Sequence, residues 1–232
     1  ELTLDAKAVR SIGFPLSAAL VERELRIAQG TVVGCNHALE HGIAFNIAGG
    51  THHAFSDRGE AFCLLNDQAI AAQYLINQKK CHKILIVDLD VHQGNGTAEI
   101  FQNNADVITF SMHGQSNYPF RKETSDYDIA LPDKTDDTTY LSILQETLPE
   151  LLNIHHPDFV FYLAGVDILG TDKLGKLGCT LEGCKTRDSY VLGLCKSLGI
   201  PVQVSMGGGY SPAIKTIIEA HANTYRVARA LY

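Results

Sequence analysis

The sequence predicts an α/β fold built on one mainly parallel sheet with helices on both faces. Short β-branched runs recur at Ile43–Ile47, Ile84–Leu89, Val107–Ser111, Phe159–Leu163 and Val202–Ser205, and between them apolar residues fall at three- and four-residue spacing. Ile84-Leu85-Ile86-Val87 is continuously apolar instead of alternating, as expected of a parallel strand covered on both sides. The alternation of the two periods is a β-α-β-α rhythm, and no internal repeat or linker-like change of composition interrupts it. Residues 1–232 are therefore expected to form one domain.

The helical spacing places helices at Leu16–Gln29, Val32–His41, Asp67–Gln78, Thr97–Asn103, Asp136–Ile154, Lys185–Leu198 and Pro212–Arg229. Pro15 suits a helix start, and Gly30, Gly42 and Gly199 suit helix stops. The segment Met112–Leu131, rich in Gly, Asn, Ser and charge, reads as a long irregular binding loop.

Composition narrows the function. Hydrophobic residues make up 45% of the chain and charged ones 19%, which excludes a disordered chain. The net charge of −7 and the absence of any basic cluster larger than the pair Lys79-Lys80 argue against nucleic acid as a ligand. No apolar run approaches the ~18 residues needed to cross a bilayer, so no membrane role is expected. The opening Glu1-Leu2-Thr3-Leu4-Asp5 lacks the features of a signal peptide. A cytoplasmic protein is expected, with the nucleus as a second location for a eukaryotic chain. Cys35, Cys63, Cys81, Cys179, Cys184 and Cys195 form no C-x-x-C pair and read as reduced thiols.

Polar residues gather just after the strands. His52-His53 follows Gly49-Gly50-Thr51, Asp88-Leu89-Asp90-Val91-His92 follows the second strand, and Ser111-Met112-His113 ends the third. Asp167 follows the fourth, and Tyr210 comes after Gly207-Gly208-Gly209 at the end of the last. Ligands of open parallel sheets bind beyond the carboxyl ends of the strands, so these clusters are expected on one rim. Asp90 and His92, two residues apart, share one side of an extended segment. With Asp167 they offer two carboxylates and one imidazole, a set of protein ligands that leaves a catalytic zinc one position open for water. Asp88 and Asp90 could instead cap the helix near Thr97 or face solvent. His52-His53 offers a general base and a general acid titrating near neutrality, or simply polar surface, as His155-His156 does. The Tyr210 hydroxyl could donate to a developing oxyanion, or the ring could pack beside its glycine-rich turn.

Two other patterns point elsewhere. His37-Ala38-Leu39-Glu40-His41 matches the H-x-x-E-H zinc protease pattern, but it ends at Gly42, where a histidine also suits a helix C-terminus. Gly94-Asn95-Gly96 follows a strand as in a dinucleotide fingerprint, yet Glu99 stands where the third glycine belongs and would repel pyrophosphate.

Taken together, Gly49–Phe55, Ala61–Asp67, Val87–Gly96, Ala164–Asp167 and Gly207–Tyr210 resemble the histone deacetylase family, in order and over nearly the whole chain. His92-Gln93-Gly94-Asn95-Gly96, Ile12-Gly13-Phe14-Pro15 and Phe120–Asp126 resemble its class IV branch and bacterial relatives most closely. The resemblance implies an arginase-deacetylase fold and a metal-dependent amidohydrolase in which a metal-bound water attacks an acyl-lysine or a small acylated amine. It implies zinc, or ferrous iron, on Asp90, His92 and Asp167. His52 would be the general base, oriented by Asp88, and His53 the general acid, partnered by Asn95. Tyr210 would polarise the carbonyl. Phe62, Tyr118 and Gly208 would line the substrate channel, and a structural potassium ion would lie near Asp88, Asp90, His92, Ser111 and Met112. A non-catalytic acyl-amide binding module is the alternative. Three departures stand out. Asn95 replaces an aspartate common in the family, Ala61 a usual glycine, and the family's N-terminal segment before Ile12 is expected to be lacking.

Overall fold

The computed structural model describes residues 3–232. Strands β1 (Ile43–Asn46), β2 (Ile84–Asp88), β3 (Val107–Gly114), β4 (Tyr127–Leu131), β5 (Phe159–Leu163) and β6 (Val202–Ser205) form one sheet in the order β1-β6-β5-β2-β3-β4. Every pairing is parallel. The strands therefore all end on the same rim.

Burial on both faces explains the apolar runs. Ile84 and Ile86 of β2 pack with Phe159 and Phe161 of β5 under helices α2 (Ala18–His41) and α3 (Asp67–Asn77). The intervening Leu85 and Val87, with Val160 and Tyr162, pack under α5 (Asp137–His155), α6 (Leu181–Leu198) and α7 (Ile214–Leu231). Successive strand side chains point to opposite faces, so a strand covered twice must be apolar at every position. Each such side chain contributes roughly 1.5–3 kcal/mol by leaving water.

Several helix ends depart from the sequence expectation for local reasons. α2 runs unbroken through Gly30, which is no stop. The Asn46 amide lies 3.2 Å from where a Cβ on Gly30 would sit, and donates to the Ile27 carbonyl and the Thr31 hydroxyl, so the glycine makes room for β1. Gly42 and Gly199 do end helices, each in the left-handed conformation. α6 starts at Leu181, four residues before the expected start, because the Thr180 side chain caps it by accepting from the Gly183 N–H. Within α5, Pro149 leaves the Gln145 carbonyl without its usual helical donor, and the Tyr190 hydroxyl donates to that oxygen.

Three further elements were not expected as they stand. α1 (Ala6–Ile12) is capped by Asp5 and ended by Gly13. α4 covers Asn95–Phe101, starting earlier than the apolar spacing suggested. The stretch read as one long loop contains the end of β3 and all of β4, an edge strand whose Asp128 and Ala130 are exposed. Among the described residues, no helix is long and apolar enough to cross a membrane.

Candidate active site

Parallel strands deliver their loops to one end, and four of them build the site. The loop after β1 carries His52 and His53, that after β2 Asp90 and His92, that after β5 Asp167, and that after β6 Gly208 and Tyr210. The fifth cluster does not sit in a loop. Ser111, Met112 and His113 lie inside β3 and are buried, with the Ser111 hydroxyl 3.0 Å from His113 Nδ1. Ser111 pairs in register with Asp88 of β2.

Asp90, His92 and Asp167 come together as the sequence suggested. Their ligand atoms lie within 4.8 Å of one another, and among the described residues no other group of three or more His, Cys, Asp or Glu side chains could hold an ion. His92 Nδ1 lies 3.0 Å from Asp90 Oδ1 and 3.2 Å from Asp167 Oδ2. The other carboxylate oxygens are held by backbone: Val91 N–H donates to Asp167 Oδ1 and Gly208 N–H to Asp90 Oδ2. Asp167 Oδ2 is buried and accepts no hydrogen bond. A buried carboxylate oxygen without a donor is costly, and a cation is the partner that fits it. Gly208 has to be glycine here, since a Cβ would stand 2.1 Å from Asp167 Oδ2 and 3.0 Å from Asp90 Oδ2. The donor set of two carboxylates and one imidazole suits zinc or ferrous iron.

The electrostatics follow from burial and neighbours. Burial pushes the Asp167 carboxyl up, and the adjacent Asp90 charge adds to it, giving about 7. Asp90 goes the other way: burial opposes its charge, but the His92 hydrogen bond and the two imidazoles His52 and His92 keep it ionised. Burial lowers His92, yet the adjacent Asp167 and Asp90 carboxylates outweigh that and hold the ring up at about 10.

Beside this cluster His52 and His53 face each other, Nε2 to Nε2 at 3.1 Å. His52 Nδ1 lies 2.6 Å from Asp88 Oδ2, and His53 Nδ1 lies 2.7 Å from Asn95 Oδ1. Burial lowers His52, but the Asp88 charge and hydrogen bond prevail and place it at about 8. His53 is pushed well below the ordinary imidazole value, first by burial and then by the charge of His52. Two chemically identical side chains are thus set apart by a carboxylate behind one and an amide behind the other.

Gly94 opens α4, and Gly96 lets that helix start against the histidine loop. A Cβ on Gly96 would stand 2.2 Å from the Ala54 carbonyl oxygen. The Gly-Asn-Gly segment thus delivers Asn95 to His53.

An apolar cleft of about 380 Å³ leads down to His53 and His92 between Phe62, Tyr118, Phe120, Leu174 and Tyr210. A smaller chamber beneath it is lined by His52, Asp90, Asp167, Gly208 and Arg23. Gly208 belongs to this inner chamber and not to the outer cleft. Phe62 stands at the tip of a tight turn, Glu60–Cys63, whose central residues Ala61 and Phe62 both have left-handed φ, 44° and 68°. Such turns favour glycine, and non-glycine residues in them are strained. The Ser11 and Ile12 carbonyls at the end of α1 accept from the Ala61 and Phe62 N–H groups and hold the turn there.

Other residues shape the site without appearing among the sequence candidates. The buried Asp67 carboxylate accepts from the Gly50 and Thr51 N–H groups and the Thr51 hydroxyl, fixing the bend before His52. Asp172 accepts from the Tyr210 N–H at 2.6 Å. Arg187, wholly buried in α6, donates to the carbonyls of Leu89 and Gly165. Their sequence signal was a charged residue within an apolar helical pattern for Arg187 and a carboxylate in a first helical turn for Asp67. Neither pattern reveals the distant backbone that receives it.

The remaining histidine pairs lie away from this site. His37 and His41 stack at 6.1 Å in the last turns of α2, with His41 and Glu40 exposed. His155 meets the Tyr127 hydroxyl, and His156 caps α5.

Residues 4–225 match the histone deacetylase domain. The chain belongs to the histone deacetylase family. Among relatives of this deacetylase-family chain, an uncharacterized protein of Picosynechococcus is 49% identical over 230 residues, covering 99% of the chain and 77% of that protein. Histone deacetylase 2 of Arabidopsis thaliana is 31% identical over 82% of the chain. Here the chain spans only 50% of the relative's length. The solved acetylpolyamine aminohydrolase of Burkholderia pseudomallei superposes with a TM-score of 0.73 at 26% identity, over 88% of this chain and 61% of that one. The HDA15 HD domain gives 0.76 at 27%, over 90% and 63%. The arginase-deacetylase fold expected from the motifs is the fold of this family member.

Proposed function

We propose that this deacetylase-family protein is a metal-dependent amidohydrolase that removes the acyl group from an acyl-lysine or a small acylated amine. The observation that carries the reading is the buried Asp90, His92 and Asp167 group, with its unpartnered carboxylate oxygen, at the foot of a narrow apolar cleft beside paired histidines. A divalent ion, zinc or ferrous iron, would supply Lewis acidity to the scissile carbonyl and acidify a water molecule.

The chain's own groups do the rest. His52, with Nδ1 fixed on Asp88, presents Nε2 to take a proton from the attacking water, and Asp88 stabilises the imidazolium that results. That proton can pass from His52 to His53 across the 3.1 Å contact between their Nε2 atoms, and His53 then delivers it to the leaving amine nitrogen, so that the amine departs neutral as the carbon–nitrogen bond breaks. The Tyr210 hydroxyl donates to the carbonyl oxygen as negative charge develops there. Phe62 and Tyr118 flank the aliphatic stem of the acylated amine and exclude water from it. A potassium ion near Asp88, Asp90, His92, Ser111 and Met112, at the ends of β2 and β3, would be structural.

The test is hydrolysis of an acetyl-lysine peptide and an acetylated diamine by the chain loaded with zinc or ferrous iron, against a chelated control. Metal-dependent release of acetate is expected. Absence of release from both substrates with both metals would overturn the reading.

A further inference from the structure

Asn95 is an unusual partner for His53 in one respect: an amide can face its neighbour with either end. Oxygen toward the ring requires a proton on His53 Nδ1, whereas nitrogen toward the ring forbids it. Some further contact has to decide between the two. Glu60 makes that contact. Its Oε1 accepts from Asn95 Nδ2 at 3.3 Å and also from the Tyr118 hydroxyl, while Oε2 lies 3.5 Å from Arg58 Nε. Arg58 Cζ in turn lies over the Phe55 ring, 3.6 Å from its centroid. A carboxylate accepts and does not donate, so the Asn95 amide can turn only its nitrogen to Glu60 and only its oxygen to His53.

We infer that Glu60 is a positioning residue for His53, acting through Asn95. It locks the amide so that Nδ1 of the imidazole carries the proton and Nε2 faces the reaction, and it provides at one remove the negative charge that an aspartate at position 95 would provide directly. The turn that carries Glu60 also carries Phe62, so the cleft wall and the histidine's partner are placed by the same four residues. The charged and titratable groups facing His53 are His52, Asp90, His92 and Tyr118, with Glu60 and Arg58 behind Asn95.

The consequence for turnover rests on the hydrolase reading; the bond geometry and its test do not. The test is a nitrogen–proton correlation spectrum of the histidine rings, recorded across pH on the zinc-loaded full chain, for wild type, Glu60→Gln and the double variant Glu60→Gln with Asn95→Asp. In wild type, His53 is expected to be protonated at Nδ1. A glutamine amide in place of the Glu60 carboxylate can donate to a reversed Asn95, so E60Q is expected to lose part of the Nδ1–H signal to Nε2–H. The double variant, with a carboxylate directly on the ring, is expected to restore the Nδ1–H signal. Glu60→Ala provides the same readout if E60Q does not fold. An unchanged division of the His53 proton between Nδ1 and Nε2 in the folded variant would overturn the inference and leave Glu60 as a brace for Tyr118. A wild-type chain that shows the expected spectrum but no turnover would count against the hydrolase reading and not against this one.

Discussion

Arg187 donates from Nη1 to both the Leu89 and the Gly165 carbonyls, at 3.2 and 2.7 Å, and so ties the backbone before Asp90 to the backbone leading to Asp167. Its Nε and Nη2 donate to Asp188 Oδ1, which also accepts from the Tyr162 hydroxyl. The whole group is out of water.

Arg187→Met is therefore expected to destabilise the protein by about 3–5 kcal/mol, because it strands the Asp188 charge in the core. Urea unfolding measures this. A loss below about 1 kcal/mol would show that the buried pair is no support for the two ligand loops.

On the proposed reading, Asp167→Asn exchanges a metal ligand for a neutral amide of the same shape. Loss of an outer partner of a metal ligand costs about 10–100-fold in affinity, and loss of a ligand itself is expected to exceed that. In chelated protein the same change removes a buried carboxyl raised by burial and by Asp90, so stability above pH 7 is expected to rise. Calorimetric zinc titration and thermal unfolding check the two halves separately.

Stability of the chelated protein is expected to fall with rising pH. The folded pKa of His52, about 8, exceeds its ordinary 6.5, so its contribution is complete below pH 6.5 and disappears as pH passes through 8. The magnitude is about 2 kcal/mol. His92, held at about 10, acts in the same direction over a longer range. Zinc held by His92 as proposed would displace its proton, so the melting temperature of the zinc form is expected to depend less steeply on pH between 6.5 and 9. Parallel slopes with and without zinc would contradict the shared site.

Ala61→Gly is expected to stabilise the protein by about 0.5–1 kcal/mol. Relief of left-handed strain at a non-glycine residue, about 1–2 kcal/mol, exceeds the extra entropy that glycine loses on folding. Thermal unfolding decides it. The lost methyl also borders the cleft, so KM for the acylated amine is expected to change more than kcat.

What the chain reveals by itself depends on how far each residue acts. β2 was legible because Ile84–Val87 is apolar at every position, and Asp90 and His92 because their juxtaposition is local. β4 was not: at the sheet edge it needs only Ile129 and Leu131 to face inward, and its charged neighbours hide so short a signal. α2 was divided at Gly30 because a glycine that accommodates Asn46 looks the same as one that stops a helix. Arg187 reaches a carbonyl 98 residues away and Glu60 an amide 35 away, and no periodicity records such distances. Motif residues announce themselves; the residues that orient them become visible only when the chain is folded.

The hold of α1 on the Ala61-Phe62 turn bears on two properties of the protein. The width of the entrance is set by a helix near the beginning of the described chain, whereas the ion ligands are set by loops much later in it. Because the same turn carries Glu60, changes in Ser11, Ile12 or Gly13 that reshape the entrance are expected to reach His53 through Asn95 as well, so what the cleft admits and how its histidine is set are bound to change together.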